Sequence, residues 1–117
     1  MKRQSEFHEY VVFDLMGHIP GITSRGMFGG YGIYFDGIFF GLIADDTLYF
    51  KVDETNQKDY EAEGSKPFHY SRKDKKAITM SYWEVPEKIM ENSELLETWV
   101  LRSVDAARNS KVKKRKF

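Results

Sequence analysis

The 117-residue sequence contains no cysteine, which rules out disulfide scaffolds, thiolate metal sites and cysteine nucleophiles together and suits a reducing compartment. It has only three prolines. No apolar run is long enough to span a bilayer, and the start, Met1 to Glu9, lacks the apolar centre of a signal peptide, so a cytoplasmic protein is expected. Its three histidines, His8, His18 and His69, share no metal-binding spacing, and no Gly-x-Ser-x-Gly elbow marks a serine nucleophile. No cofactor, metal site or catalytic residue is therefore predicted. What the chain does have is 41% hydrophobic and 15% aromatic residues, enough for one globular domain with a real core.

The formal net charge of zero conceals an asymmetry. All 18 acidic residues precede Arg108, whereas Arg108, Lys111, Lys113, Lys114, Arg115 and Lys116 are six of the 18 basic ones. An acidic body at 1–110 with a basic, disordered tail at 111–117 follows.

Thr23 to Val52 dominates the sequence: an aromatic and β-branched run interrupted by glycines and acidic turn residues. Before it, Phe7, Val11 and Leu15, with Val12 and Met16 beside them, form one stripe of an amphipathic helix over Ser5 to Met16, ended by Gly17 and Pro20-Gly21. Asp36-Gly37 between aromatic runs predicts a two-residue hairpin turn. Strict alternation then sets Phe35 opposite Ile38, Ile33 opposite Phe40 and Tyr31 opposite Leu42 on a core face, with Tyr34 opposite Phe39 and Gly32 opposite Gly41 on the reverse. Aligning the next apolar set puts Leu42 opposite Leu48 and Phe40 opposite Phe50, leaving Ala44, Asp45 and Asp46 as a loop and Gly41 under Tyr49.

Beyond Val52, Asp53 or Thr55 caps a short helix stopped by Gly64. Phe68 to Tyr70 and Ala77 to Trp83 read as strands, the second with Ile78, Met80 and Tyr82 inward, and Arg72 to Lys76 as a solvated basic loop. A helical turn begins at Pro86. A last helix runs from Ser93, its N-cap, to about Asn109, burying Leu96, Trp99, Val100, Ser103, Val104 and Ala107. The elements describe an α+β fold, a two-layer α/β sandwich with an antiparallel sheet, in the order α-β-β-β-β-α-β-β-α.

Gly26, Gly29, Gly30 and Gly32 do not form a phosphate loop, because no Gly-Lys-Ser/Thr follows and the segment leads into a strand. Asp45-Asp46 is a turn. Three surfaces remain. The reverse face, with Tyr34, Phe39, Tyr49 and Trp83, is either covered within the fold or a partner surface, which Arg25, Met27, Phe28, Gly29 and Gly30 would extend. Arg72, Lys73, Lys75 and Lys76, with Lys111, Lys113, Lys114, Arg115 and Lys116, are a weak, salt-sensitive nucleic-acid contact in the alternative reading. A groove over Gly32 and Gly41 is the place for a small molecule in the third.

Ser24-Arg25, Met27 to Tyr34, Phe40 to Ile43, Asp45-Asp46, Leu48-Tyr49, Lys51 to Asp53, Pro67-Phe68 with Tyr70, and Met80 to Tyr82 followed by Val85-Pro86 resemble the N-terminal domain of the TfoX/Sxy family of bacterial competence regulators. Gly26 and Trp83 depart from the usual basic residue and tyrosine. The resemblance implies a two-layer α/β domain without catalytic activity. It also implies a part in regulating transcription of DNA-uptake genes beside the cyclic-AMP receptor protein, hence a protein partner in the transcription machinery or a transcription factor. Relatives carry a second, C-terminal domain, so a stand-alone form is expected here, and a homodimer is the simplest way to cover the reverse face.

Overall fold

A computed structural model describes residues 3–27, 29–72 and 75–115. The first helix, α1, spans Arg3–Glu9 and passes into a wider, π-helical stretch over Tyr10–Leu15, closed by Met16 N–H donating to the Val11 carbonyl at 3.0 Å. The apolar stripe read from the sequence is the buried one, with Val11, Val12 and Met16 inside and Phe7 and Leu15 packed beside them. Gly17 ends it where a Cβ would collide with the Phe13 carbonyl.

Six strands follow the order β1-β2-β3-β4-β6-β5, all antiparallel: β1 Ile22–Met27, β2 Gly30–Phe35, β3 Ile38–Ala44, β4 Thr47–Lys51, β5 Pro67–Arg72 and β6 Lys75–Glu84. Helix α2, Gln57–Ala62, joins β4 to β5, and α3, Glu87–Met90, leads into α4, Ser93–Arg115. This is the expected α+β architecture. Every helix packs on the same side of the sheet: Val11 and Met16, Tyr60 of α2, Ile89 of α3 and Leu96, Val100 and Val104 of α4 form one cluster with Ile33, Phe40, Ile43, Leu48 and Phe50.

The Asp36-Gly37 turn forms as predicted, both residues at positive φ (49° and 82°), and pairs Phe35 with Ile38 and Tyr34 with Phe39. Beyond it the strict alternation fails. A bulge places Ile33 opposite Gly41, Gly32 opposite Leu42 and Tyr31 opposite Ile43, so Phe40 is the extra residue of β3. The bulge reverses the parity of β3, and both Phe40 and Ile43 enter the core. The shift carries into the next hairpin, where Ala44 pairs with Thr47, Ile43 with Leu48, Leu42 with Tyr49 and Gly41 with Phe50. Asp45 and Asp46, both at positive φ, are a two-residue turn and not part of a three-residue loop.

The ring against Gly41 is consequently that of Phe50, on the core side, not that of Tyr49. A Cβ at Gly41 would sit 3.2 Å from Phe50 Cδ1 and 3.1 Å from the Tyr49 carbonyl.

The β4–α2 connection is held by side chains. Asp53 Oδ1 accepts from the Thr55 amide at 2.8 Å and hydroxyl at 2.5 Å, the Asp53 amide donates to Asn56 Oδ1 at 2.8 Å, and Asn56 Nδ2 donates to the Lys51 carbonyl at 3.2 Å. Asn56 is thereby buried with its polar atoms partnered. Gly64, at φ 74°, follows α2 as expected. The cap of α4 is Asn92, one residue earlier than Ser93: its Oδ1 accepts from the Leu95 amide at 3.1 Å. Leu96, Val100, Ser103, Val104 and Ala107 are the buried stripe of α4, with Trp99 half-buried and Leu101 exposed. The helix continues to Arg115, past the expected end at Asn109 and into the stretch read as a disordered tail.

Candidate functional site

The faces of the sheet follow from the register. Residues paired with Ile33, Phe50 and Leu48 lie with the core, and their neighbours lie on the side that carries no helix among the described residues. That open side presents Thr23 and Arg25 from β1, Tyr34 from β2, Phe39 and Leu42 from β3, Tyr49 and Lys51 from β4 and Tyr82 from β6.

Its rings form a row across the strands. Tyr34 and Phe39 have centroids 5.3 Å apart, and Phe39 and Tyr82 5.6 Å apart, tilted by 36° and 37°. Tyr49 meets Phe68 of β5 edge-on at 4.7 Å in a second pair. Two cations lie against the row: the Arg25 guanidinium is 6.0 Å from the Tyr34 centroid, and Lys51 Nζ is 5.3 Å from that of Tyr82 while donating to Ser81 Oγ at 2.6 Å. Tyr34, Phe39, Tyr49 and Phe68 remain half-buried, whereas Tyr82 is only 8% exposed beneath its neighbours. Burial pushes the Tyr82 hydroxyl up to about 12, and it raises that of Tyr49, with Glu84 adding to the effect.

Of the residues expected on a partner surface, Arg25, Tyr34, Phe39 and Tyr49 are brought together. Trp83 is not. It pairs with Phe50 and packs on the core side, 6.3 Å from the ring of Tyr60, and Tyr82, expected inward, holds the open-face position. Alternation over Ile78, Met80 and Tyr82 pointed the other way, but buried Val85, two residues after Trp83, carried the parity that prevailed. Gly29 and Gly30 close the β1–β2 hairpin, with Gly30 paired to Met27; the side chain of Met27 and all of Phe28 lie outside the described residues.

The groove expected over Gly32 and Gly41 does not form. The bulge sets Gly32 opposite Leu42 and turns Gly41 to the core under Phe50. A cleft of about 360 Å³ lies elsewhere, lined by Thr55, Arg102, Asp105, Arg108 and Asn109. Arg102 is committed there, paired with Asp59 at 2.5 Å and donating to the Thr55 carbonyl at 3.0 Å. Arg108 lies 3.7 Å from Asp105 there, and Asn109 Nδ2 donates to Asp53 Oδ2 at 3.3 Å. The described residues contain no group of acidic or histidine side chains able to hold a metal. None of their helices is long and apolar enough to cross a membrane.

The expected basic loop is largely strand. β5 reaches Arg72, and β6 begins at Lys75, its partner across the hairpin. Lys73 and Lys116 lie outside the described residues, as do the side chains of Arg72, Lys75, Lys76, Lys111, Lys113, Lys114 and Arg115.

One cluster went unread in the sequence. His8 of α1 stacks on Tyr31 at 3.8 Å and 8°, and its Nε2 lies 2.7 Å from Ser24 Oγ. Burial holds His8 below the usual histidine range, partly opposed by the Glu9 carboxylate. It pins α1 to the first hairpin.

A search of curated protein sequences found no match. The family model described as TfoX N-terminal domain matches residues 14–107, from within the first helical segment to Ala107 on α4, which includes the whole sheet and the open face. This chain belongs to the TfoX N-terminal domain family.

Proposed function

We propose that this chain is a non-catalytic regulatory domain of the competence-regulator kind, acting on transcription by docking a protein partner on the open face of its sheet. A second copy of the chain is the first such partner. The observation that carries this reading is the row Tyr34, Phe39 and Tyr82, with Tyr49 and Phe68 beside it, on the side to which no described helix packs. An antiparallel sheet tolerates water on one face when that face is polar; an aromatic one is better suited to association. The rings lean on one another and do not lie flat and separate, so they offer a packed apolar surface more readily than slots for stacked bases.

Sedimentation of the wild-type chain against Tyr34→Ala and Phe39→Ala tests the reading. A concentration-dependent dimer that both variants abolish supports it. A wild-type chain that stays monomeric, and captures from native lysate the same proteins as both variants, refutes it.

A further inference from the structure

The two edges of the sheet are built differently. At one edge β5 opens with Pro67, which has no N–H to offer, and its pairing with β6 is irregular between Pro67 and His69 and again between Tyr70 and Arg72. These are the devices by which sheets discourage further pairing. At the other edge β1 has none of them. Its six residues contain no proline, and they pair with β2 in unbroken register from Ile22 opposite Phe35 to Met27 opposite Gly30. No described strand lies on its far side. Asp36 N–H donating to the Gly21 carbonyl at 2.9 Å sets the phase of the ladder, so the N–H and C=O groups of Ile22, Ser24 and Gly26 turn away from β2, toward the place of another strand.

The charge beside this edge identifies the kind of strand. Arg25 is exposed on the open-face side, resting on Tyr34 across side-chain-free Gly32, with no carboxylate in ion-pair range among the described residues. On the helix side Ser24 is already engaged by His8, and α1 carries Glu6 and Glu9. Asp36 lies against Gly21, just ahead of β1. A strand added here gains by placing a carboxylate beside Arg25 and loses by presenting one to the helix side or to Asp36. A two-fold pairing of β1 with β1 of a second copy would instead bring two Arg25 side chains onto one face as neighbours, a like-charge contact.

We infer that the β1 edge is a binding site for an extended acidic segment of another protein, which adds to the sheet as a seventh strand with a carboxylate against Arg25. Backbone hydrogen bonding supplies the affinity, and Arg25 selects the charge. The site shares Arg25 with the open face proposed above but rests on the β1 backbone edge and not on the aromatic row, so either proposal can fail alone.

Fluorescein-labelled heptapeptides alternating threonine with glutamate, or threonine with lysine, are suitable probes. The glutamate peptide should bind about tenfold or more tighter than the lysine peptide by anisotropy, and Arg25→Glu should reverse the order. Methylating alternate backbone nitrogens of the glutamate peptide, in either phase, should abolish binding in the phase that removes the donors. Amide shifts in NMR spectra should centre on residues 22–27, and Phe39→Ala should leave peptide affinity unchanged even where it abolishes self-association.

Four results would overturn the inference: equal affinity for both peptides; no binding of either at about 1 mM; shifts centred on Tyr34, Phe39 and Tyr82, which would move the peptide to the open face; or β1 shifts that follow protein concentration without peptide, which would give the edge to a second copy.

Discussion

On the covered side of the sheet, Phe40, Phe50, Ile43 and Leu48 are closed off from water in one cluster with the buried residues of the helices, whereas on the other side Tyr34, Phe39 and Tyr49 stay half exposed with strand neighbours around their rings. The two faces draw on similar residue types. They differ in what lies over them, and hence in how much apolar surface leaves water on folding. Stability should therefore reside on the first face and association on the second.

The largest test is Phe50→Ala. Phe50 is fully buried, packed on Phe40 at 5.4 Å and lying over Gly41, so its loss should cost about 3–5 kcal/mol in chemical denaturation. A cost below about 1 kcal/mol would mean that the helix side is not the core.

Next comes Gly30→Ala, since a Cβ at Gly30 would run into the Ile43 carbonyl. We expect a loss of about 1–3 kcal/mol, because backbone on the neighbouring strand must move. The same change at Gly26, where a Cβ meets only the Gly30 carbonyl at 3.9 Å, should be nearly silent.

Phe39→Ala sharpens the contrast from the other side. It should cost about 1 kcal/mol or less in stability while removing self-association in sedimentation, since Phe39 is half-buried and touches only Tyr34 and Tyr82 among the ring contacts described. A large stability loss with association intact would reverse the roles of the two faces.

The smallest expected effect belongs to His8, at the junction of α1 with the first hairpin. Its proton is harder to add in the folded chain than in the unfolded one. As pH falls through about 6.5, the unfolded state therefore takes up the proton first and the folded state loses stability, until the depressed folded value is passed. His8→Gln should remove that part of the decline in Tm between about pH 7.5 and 5.5, compared with wild type in parallel melts.

Much of the fold was legible because local chemistry and global structure agree. The stripe Val11, Val12 and Met16, the turn at Asp36-Gly37, the stop at Gly64 and the buried stripe of α4 each announce themselves within a few residues. Legibility ended at the bulge. Phe40-Gly41-Leu42-Ile43 reads as plain alternation, yet one unpaired residue exchanges the faces of all that follow in β3, and no local signal distinguishes Leu42 inward from Ile43 inward. The candidate site was legible in part for the same reason. Tyr34 and Phe39 lie between the turn and the bulge and were placed correctly, whereas Trp83 and Tyr82 depend on the pairing of β6 with β4, more than thirty residues away in the chain. Ser24 and His8, 16 residues apart, meet only because α1 folds back over β1.

By itself, then, the sequence determined the elements, the turns between them and the α+β class, since each rests on periodicity and on backbone preferences that act over a few residues. Only the tertiary structure decided which aromatic residues face water. That outcome turns on a single bulge and on which strands become neighbours, and both are chosen by how Phe40, Ile43 and Phe50 fill the space beneath α4.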